Sequence, residues 1–112
     1  MLPKSNRLRS GAEFTQVTKT GHRVSSNNLV MYATLEENKT PKIGFIVNRS
    51  VGGSVVRHLV TRKLRHDLAS HINQLPKNSM LVVRVLKEQR DYRVEVAHSV
   101  TKLIAKLTKV DV

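Results

Sequence analysis

The spacing of apolar and polar positions changes several times along this 112-residue chain, and each change predicts a new element. Ser10 and Glu13 have the spacing of a capping box, so a short helix burying Phe14 and Val17 is expected after them. Gly21 is placed to end that helix in a left-handed conformation. β-rich runs at 22–26, 29–35 and 43–47 predict three strands. The third run is apolar enough to predict burial on both faces.

The period then lengthens to about four residues, which predicts a helix over residues 55–72. Its apolar stripe consists of Val56, Val60, Leu64, Leu68 and Ile72, with Leu59 beside them. Residues 80–85 predict a fourth, buried strand, and Asp91 is placed to cap a last helix whose apolar face runs from Val96 to Leu107. This order predicts an α+β or α/β sandwich built on one sheet. We expect a single domain over residues 1–112, with a flexible N-terminus at residues 1–9.

The charge adds a partner to this picture. Twenty Lys and Arg stand against eight Asp and Glu, a formal net charge of +12. Such a charge destabilises a compact chain by self-repulsion, so we expect a polyanionic partner, nucleic acid first and an anionic membrane surface second. The chain has no cysteine, which excludes a disulfide framework and a thiolate metal site. No signal-like or membrane-spanning run is found, so a soluble cytoplasmic protein is expected.

The predicted second helix concentrates the positive charge on one side. His58, Thr61, Arg62 and Arg65 lie away from its apolar stripe, and Arg57 lies at the border. No acidic residue occurs from position 48 to position 66. A solvated helix face is the ordinary alternative, but such faces usually mix signs, so the one-sided charge favours a phosphate-binding surface. The preceding Val-Gly-Gly-Ser segment lacks the lysine and spacing of a P-loop and reads as a plain turn.

Catalytic and metal-binding arrangements are not apparent in the sequence. The five histidines show no metal-ligand spacing with a carboxylate, and no nucleophile constellation can be argued. The eight acidic residues include no convincing pair for two-metal cleavage of a phosphodiester. The protein itself is therefore interpreted as noncatalytic, with no metal site of its own.

Residues 47–65, VNRSVGGSVVRHLVTRKLR, resemble the signature of bacterial ribonuclease P proteins, roughly V-S-K-K-V-G-x-A-V-x-R-N-R-x-K-R-x-x-R. The residues that match in register are Gly52, Val55, Arg57, Arg62 and Arg65. The flanks agree at Arg7-Leu8, Glu13-Phe14, Gly21, Tyr32, Ile43-Gly44 and Arg84. The departures are Ser50 for a lysine, His58, Leu59 and Thr61 for Asn, Arg and Lys, and Thr18 where a second aromatic is common.

The resemblance implies an αβββαβα fold with a left-handed crossover through the basic helix, although the general rule favours the right-handed form. It implies the protein subunit of an endoribonuclease whose active site is RNA and whose Mg²⁺ is held mainly by that RNA. The subunit would broaden substrate recognition and lower the Mg²⁺ requirement in removing the 5′ leader of precursor tRNA. No membrane and no obligate protein partner are implied.

Two sets of site residues follow from the resemblance. The set implied to bind the catalytic RNA is Arg49, Arg57, His58, Arg62, Lys63 and Arg65. The set implied to bind the 5′ leader is Phe14, Tyr32, Arg7 and Arg84. Composition alone would equally favour another RNA-binding scaffold, such as a small ribosomal or RNA-chaperone protein. A membrane-surface protein is disfavoured, because the apolar face of the basic helix lacks Trp and Phe and is needed for the core.

Overall fold

The computed structural model describes residues 7–8, 11–35, 41–75, 79–89 and 91–107. Its helices are α1 (Gly11–Thr20), α2 (Ser54–Ala69) and α3 (Arg93–Leu107), and its strands are β1 (His22–Ser25), β2 (Leu29–Leu35), β3 (Lys42–Val47) and β4 (Ser79–Val85). One 3-10 turn, Ile72–Gln74, follows α2. This order confirms the predicted αβββαβα succession in the part of the chain that is described.

The four strands form one mixed sheet in the order β1-β2-β4-β3. β2 pairs antiparallel with both β1 and β4, whereas β3 and β4 are parallel and joined through α2. A parallel pair needs such a crossover, because the chain must return from the end of the first strand to the opposite edge of the sheet before the second strand begins. The protein is therefore an α+β structure, and the handedness of the crossover stays a prediction.

Helices cover the two faces of the sheet unequally. α2 and α3 pack on one face, where Leu64 and Leu103 meet Leu81 in the larger core cluster. α1 packs on the other face, where Val17 meets Val82 in a smaller cluster. The alternation of side chains along each strand separates these two clusters. The result is three layers, in which α1 is the one described helix on its face of the sheet.

The prediction that β3 is buried on both faces holds only at its start, where Gly44 and Ile43 are buried on opposite faces. Ile43 is buried, but Phe45, Ile46 and Val47 are only half-buried. β3 is an edge strand because β4, which comes later in the chain, occupies the position between β2 and β3. β4 is the buried central strand that the sequence predicts, except at the exposed Arg84.

The predicted boundaries of the helices hold with two corrections. Gly21 is not left-handed, since Gly52 is the one described residue with a positive φ. The backbone N–H of Gly21 donates to the Val17 carbonyl, and a Cβ there would lie 2.8 Å from the Ala33 carbonyl oxygen. Glycine is therefore needed for a close approach between the end of α1 and β2. α2 ends at Ala69 rather than 72, and the capping box at Ser10 lies outside the described residues.

The start of α3 carries two anchors. Asp91 accepts a 2.9 Å hydrogen bond from the backbone N–H of Arg93, as expected of a cap. Glu95 accepts hydrogen bonds from the Ser26 hydroxyl and the backbone N–H of Asn28, and so ties the β1–β2 turn to α3. Burial raises the pKa of the Glu95 carboxyl, but the hydrogen bonds from Ser26 and Asn28 outweigh it and leave the pKa below its ordinary value.

Candidate RNA interface

An open groove of about 610 Å³ lies between α2 and the edge strand β3, and we call it the basic groove. Its apolar side is formed by Leu8 and β3. Its polar lining consists of Arg7, Ser54, Arg57, His58, Thr61 and Arg65. None of the described residues that line it is acidic, and three of them are arginines.

Local structure explains how these side chains meet. At 3.6 residues per turn, His58, Thr61 and Arg65 share the flank of α2 that faces β3. Arg7 arrives from the other direction, because residue 7 forms an isolated parallel bridge with Ile43. The backbone N–H of Leu8 donates a 2.9 Å hydrogen bond to the Ile43 carbonyl. The groove is thus assembled from an N-terminal segment, a strand and a helix that are far apart in sequence.

Arg65 is the cation of the groove that lies over an aromatic ring. Its guanidinium carbon lies 5.9 Å from the centroid of the Phe45 ring, within the range of a cation–π contact. Burial and, secondarily, the positive charge of Arg7 lower the pKa of Arg65. The Nε atoms of Arg57 and Arg65 are buried with no hydrogen-bond partner among the described residues. A phosphate in the groove would satisfy these donors and relieve the repulsion between the arginines.

The predicted catalytic-RNA set is not a single cluster. Arg57, His58 and Arg65 face the basic groove, whereas Arg62 and Lys63 line a separate groove between α2 and the start of α3. Arg62 is exposed and Lys63 is half-buried. Arg49 is exposed in the turn after β3.

The residues that replace the family's Arg and Lys contribute no cation. Leu59 is 44% exposed and lines the groove on the α3 side. The Thr61 hydroxyl lines the basic groove but donates a 2.8 Å hydrogen bond to the Arg57 carbonyl. Positive charge on α2 is therefore concentrated on fewer positions than the family signature has.

The predicted leader set lies mainly on the other side of the sheet, in what we call the α1–sheet cleft. Phe14 and Tyr32 are half-buried and pack against the smaller core cluster, together with Ile46. Phe14 covers Gly44 so closely that a Cβ there would lie 2.4 Å from the ring. Arg84 is exposed on the same face of β4. Arg7 is not with them, because its side chain lines the basic groove.

Phe45 is the site residue that sequence reasoning missed. It alternates with Ile43 and Val47 along β3, and all three point toward α2. Its place beside α2 is a property of the β3–α2–β4 crossover. The alternation of side chains along β3, together with the helix that follows it, was enough to predict an aromatic ring beneath the basic helix.

Other types of site are not found in the described ranges. No group of three or more His, Asp or Glu side chains there is arranged to hold a metal ion. No helix among the residues described is long and apolar enough to cross a bilayer.

The fold and the basic groove define a small, basic α+β protein with an acid-free cationic groove along the described part of its surface. Comparison with known proteins makes the class specific, because residues 2–108 match the family model described as ribonuclease P. This chain belongs to the family of ribonuclease P protein components, the protein part of a tRNA-processing endoribonuclease.

Relatives support this assignment along most of the chain. The ribonuclease P protein component of Acidothermus cellulolyticus is 35% identical over 112 residues, covering 97% of this chain and 93% of that protein. The component from Nocardioides sp. is 38% identical over 89 residues, covering 77% and 76%.

Solved structures support the fold. A Staphylococcus aureus RNase P protein mutant with defective mRNA degradation activity matches with a TM-score of 0.71 at 21% identity, covering 96% of this chain and 92% of that one. The Thermotoga maritima RNase P protein matches with a TM-score of 0.65 at 20% identity, covering 95% and 98%.

Proposed function

We propose that this chain is the RNA-binding, noncatalytic subunit of ribonuclease P, and that the basic groove with the exposed cations of α2 binds the catalytic RNA. The observation that carries the proposal is the acid-free groove itself, in which buried Nε atoms of Arg57 and Arg65 lack partners among the described residues. Guanidinium groups bind phosphate oxygens in a fixed, often bidentate geometry. Because the chain belongs to the ribonuclease P family, the catalytic RNA of ribonuclease P is the polyanion that we expect in this groove.

The 5′ leader of precursor tRNA binds, on this proposal, in the α1–sheet cleft. Phe14 and Tyr32 offer half-buried rings on which unstacked bases can lie, and Arg84 offers an exposed cation beside them. Stacking on aromatic side chains next to cations is the usual way in which proteins hold single-stranded RNA. Arg7 acts on the catalytic RNA rather than on the leader, because its side chain lines the basic groove.

The hydrolytic Mg²⁺ belongs to the RNA in this proposal, and the protein lowers the Mg²⁺ requirement by electrostatics. A net charge of +12 reduces the repulsion between the catalytic RNA and the precursor, which Mg²⁺ would otherwise screen. The protein acts in the cytoplasm on precursor tRNA and requires neither a membrane nor an obligate protein partner.

Reconstitution with the organism's own catalytic RNA tests the proposal. Cleavage of precursor tRNA should occur at a lower Mg²⁺ concentration with the protein than without it, and the protein alone should not cleave. 5′-end cleavage by RNA-free protein, or an unchanged Mg²⁺ requirement on adding the protein, would contradict the proposal.

The cleft is tested by comparing precursor with mature tRNA, since only the precursor has a leader. Tyr32→Ala should reduce the precursor's advantage in affinity by roughly ten- to a hundredfold, because a stacking contact is worth about 1–3 kcal/mol. Tyr32→Phe retains the ring and should be mild. Equal losses for both RNAs in a variant that still melts cooperatively would return Tyr32 to a purely structural role.

A further inference from the structure

The face of the sheet that carries α1 has side chains that are exposed or half-buried, and the strand register shows where they lie. Tyr32 on β2 stands opposite Val82 on β4, which α1 covers, and opposite Arg23 on β1. One row further along, Arg84 stands opposite Val30 on β2 and Ile46 on β3. Arg23 and Arg84 are both exposed, and the half-buried Tyr32 lies between their strands.

The direction of the Arg23 side chain follows from its neighbour. Val24 is 6% exposed and packs in the larger core cluster with Met31, on the face covered by α2 and α3. Because successive side chains of a strand point to opposite faces, Arg23 points to the face that carries α1. A slip of one residue would bury the charge of Arg23 in the core, so the register is strongly specified.

The backbone at Arg23 is also held from outside the sheet. Lys106 on α3 donates a 2.8 Å hydrogen bond from Nζ to the Arg23 carbonyl. This contact occupies a backbone acceptor of the edge strand β1 and ties that strand to α3. Arg23 therefore projects from a fixed platform beside Tyr32, with paired Cα atoms about 4.5–5.5 Å apart.

The described strand positions of this surface carry positive charge. The strand positions in the described ladder that face α1 include Arg23, Lys42 and Arg84 but no acidic residue. Glu13 on α1 lies by the far edge, 4.0 Å from the Lys42 ammonium. The Cα atoms of the two exposed arginines lie about 12 Å apart across the sheet, with the aromatic ring between them. This spacing is suited to binding several nucleotides of single-stranded RNA.

We propose that the leader-binding surface extends across β2 onto β1, where Arg23 contacts a leader phosphate one strand beyond the base that stacks on Tyr32. The inference rests on the proposed role of the α1–sheet cleft and adds the direction of the leader, which crosses from Arg84 past Tyr32 to Arg23. Arg23 is a binding residue for substrate and takes no part in the chemistry. A leader too short to pass Tyr32 gains nothing from it.

The test measures the affinity of the reconstituted holoenzyme for precursor tRNAs whose leaders increase in length one nucleotide at a time. In the native protein, affinity should rise in steps, and Arg23→Gln should abolish the step that follows the one due to Tyr32. The loss for long leaders should be up to about fivefold, as for an exposed ionic contact, and the salt slope should fall by about 0.7. Arg23→Lys should retain most of the step.

Lys102→Gln is the matched control, because it removes one exposed charge on α3, a helix packed on the other face of the sheet. An Arg23→Gln variant with an unchanged length profile, alongside a Tyr32→Ala variant that loses leader discrimination, would overturn this inference and leave the proposed cleft standing. A native holoenzyme that does not distinguish precursor from mature tRNA would overturn the cleft itself. Mature tRNA affinity should be the same in all of these variants.

Discussion

Arg65→Met separates the contribution of the basic groove to RNA binding from its contribution to stability. The methionine keeps an apolar stem over Phe45 and removes the charge. The native cation–π contact, at 5.9 Å from the ring centroid, stabilises the fold by about 0.5–1 kcal/mol. The same charge is partly buried and repelled by Arg7, the two causes that lower its pKa. These opposing effects should leave the free energy of unfolding within about 1 kcal/mol of the native value and Tm within about 5 °C.

Binding to the catalytic RNA should change far more than stability. Loss of a charge-assisted contact to phosphate should weaken the complex by about ten- to a hundredfold at low salt. The magnitude of the slope of log affinity against log salt should decrease by about 0.9. When the salt concentration rises from about 50 to about 200 mM, the loss of affinity should therefore be about 3.5-fold smaller for the variant than for the native protein. Filter binding or anisotropy over a salt series, together with thermal melting, measures both quantities.

Lys102→Met is the control, because it removes an exposed cation remote from the basic groove. It should change neither the affinity nor the slope appreciably. A native slope in Arg65→Met would show that the groove is only a solvated face. A drop in Tm well beyond 5 °C would show instead that Arg65 is mainly a structural residue, and the reasoning from opposing effects would be wrong.

Three further changes probe the fold beneath the two surfaces. Glu95→Gln should destabilise the protein more at pH 7 than at pH 3 in urea melts, because folding lowers the pKa of the Glu95 carboxyl. Such a carboxyl stabilises the fold above its ordinary pKa of about 4.3, and this stabilisation is lost as the pH falls through its pKa in the folded protein. Tyr92→Phe should cost about 1–3 kcal/mol by chemical denaturation, because the fully buried hydroxyl accepts one backbone hydrogen bond and donates another. Gly44→Ala should cost about 1–3 kcal/mol in thermal melts, since a Cβ would lie 2.4 Å from the Phe14 ring, whereas Gly11→Ala, with nothing within 4 Å, should be close to neutral.

Local patterns were sufficient to predict the elements but not the arrangement of the strands. Periodicity, β-rich composition and a capping box together placed all seven helices and strands within the described part of the chain, because burial on one face imposes periods of 2 or 3.6 residues. The insertion of β4 between β2 and β3 depends on pairing between segments far apart in sequence. For that reason the burial predicted for the whole of β3 holds only at Ile43 and Gly44. The tight approach of Gly21 to Ala33 is likewise a tertiary contact, which local turn chemistry misread as a left-handed cap.

The site residues show the same division. Helical periodicity correctly put His58 and Arg65 on one flank of α2, and their types indicated phosphate binding. It placed Arg62 with them, although that side chain lines the groove on the α3 side. Arg7 was assigned to the leader set, but its bridge to Ile43 brings it to the basic groove. Which partner a surface cation meets is decided by the chain that folds beside it, and no single segment contains that information.

The strand order has a consequence for how the molecule is made. β1 and β2 can pair as soon as both have left the ribosome, but β3 has no strand neighbour in the described sheet until β4 is inserted beside it. Pairing between strands far apart in sequence is slow, because the entropy of closing a long loop is lost before the stabilising contacts form. Until residue 85 is available, β3 cannot support one wall of the basic groove, and Arg84 is not yet on the sheet. The two surfaces proposed to bind RNA therefore come into existence in a single late step, and a nascent chain that stops short of β4 carries the charge without either site.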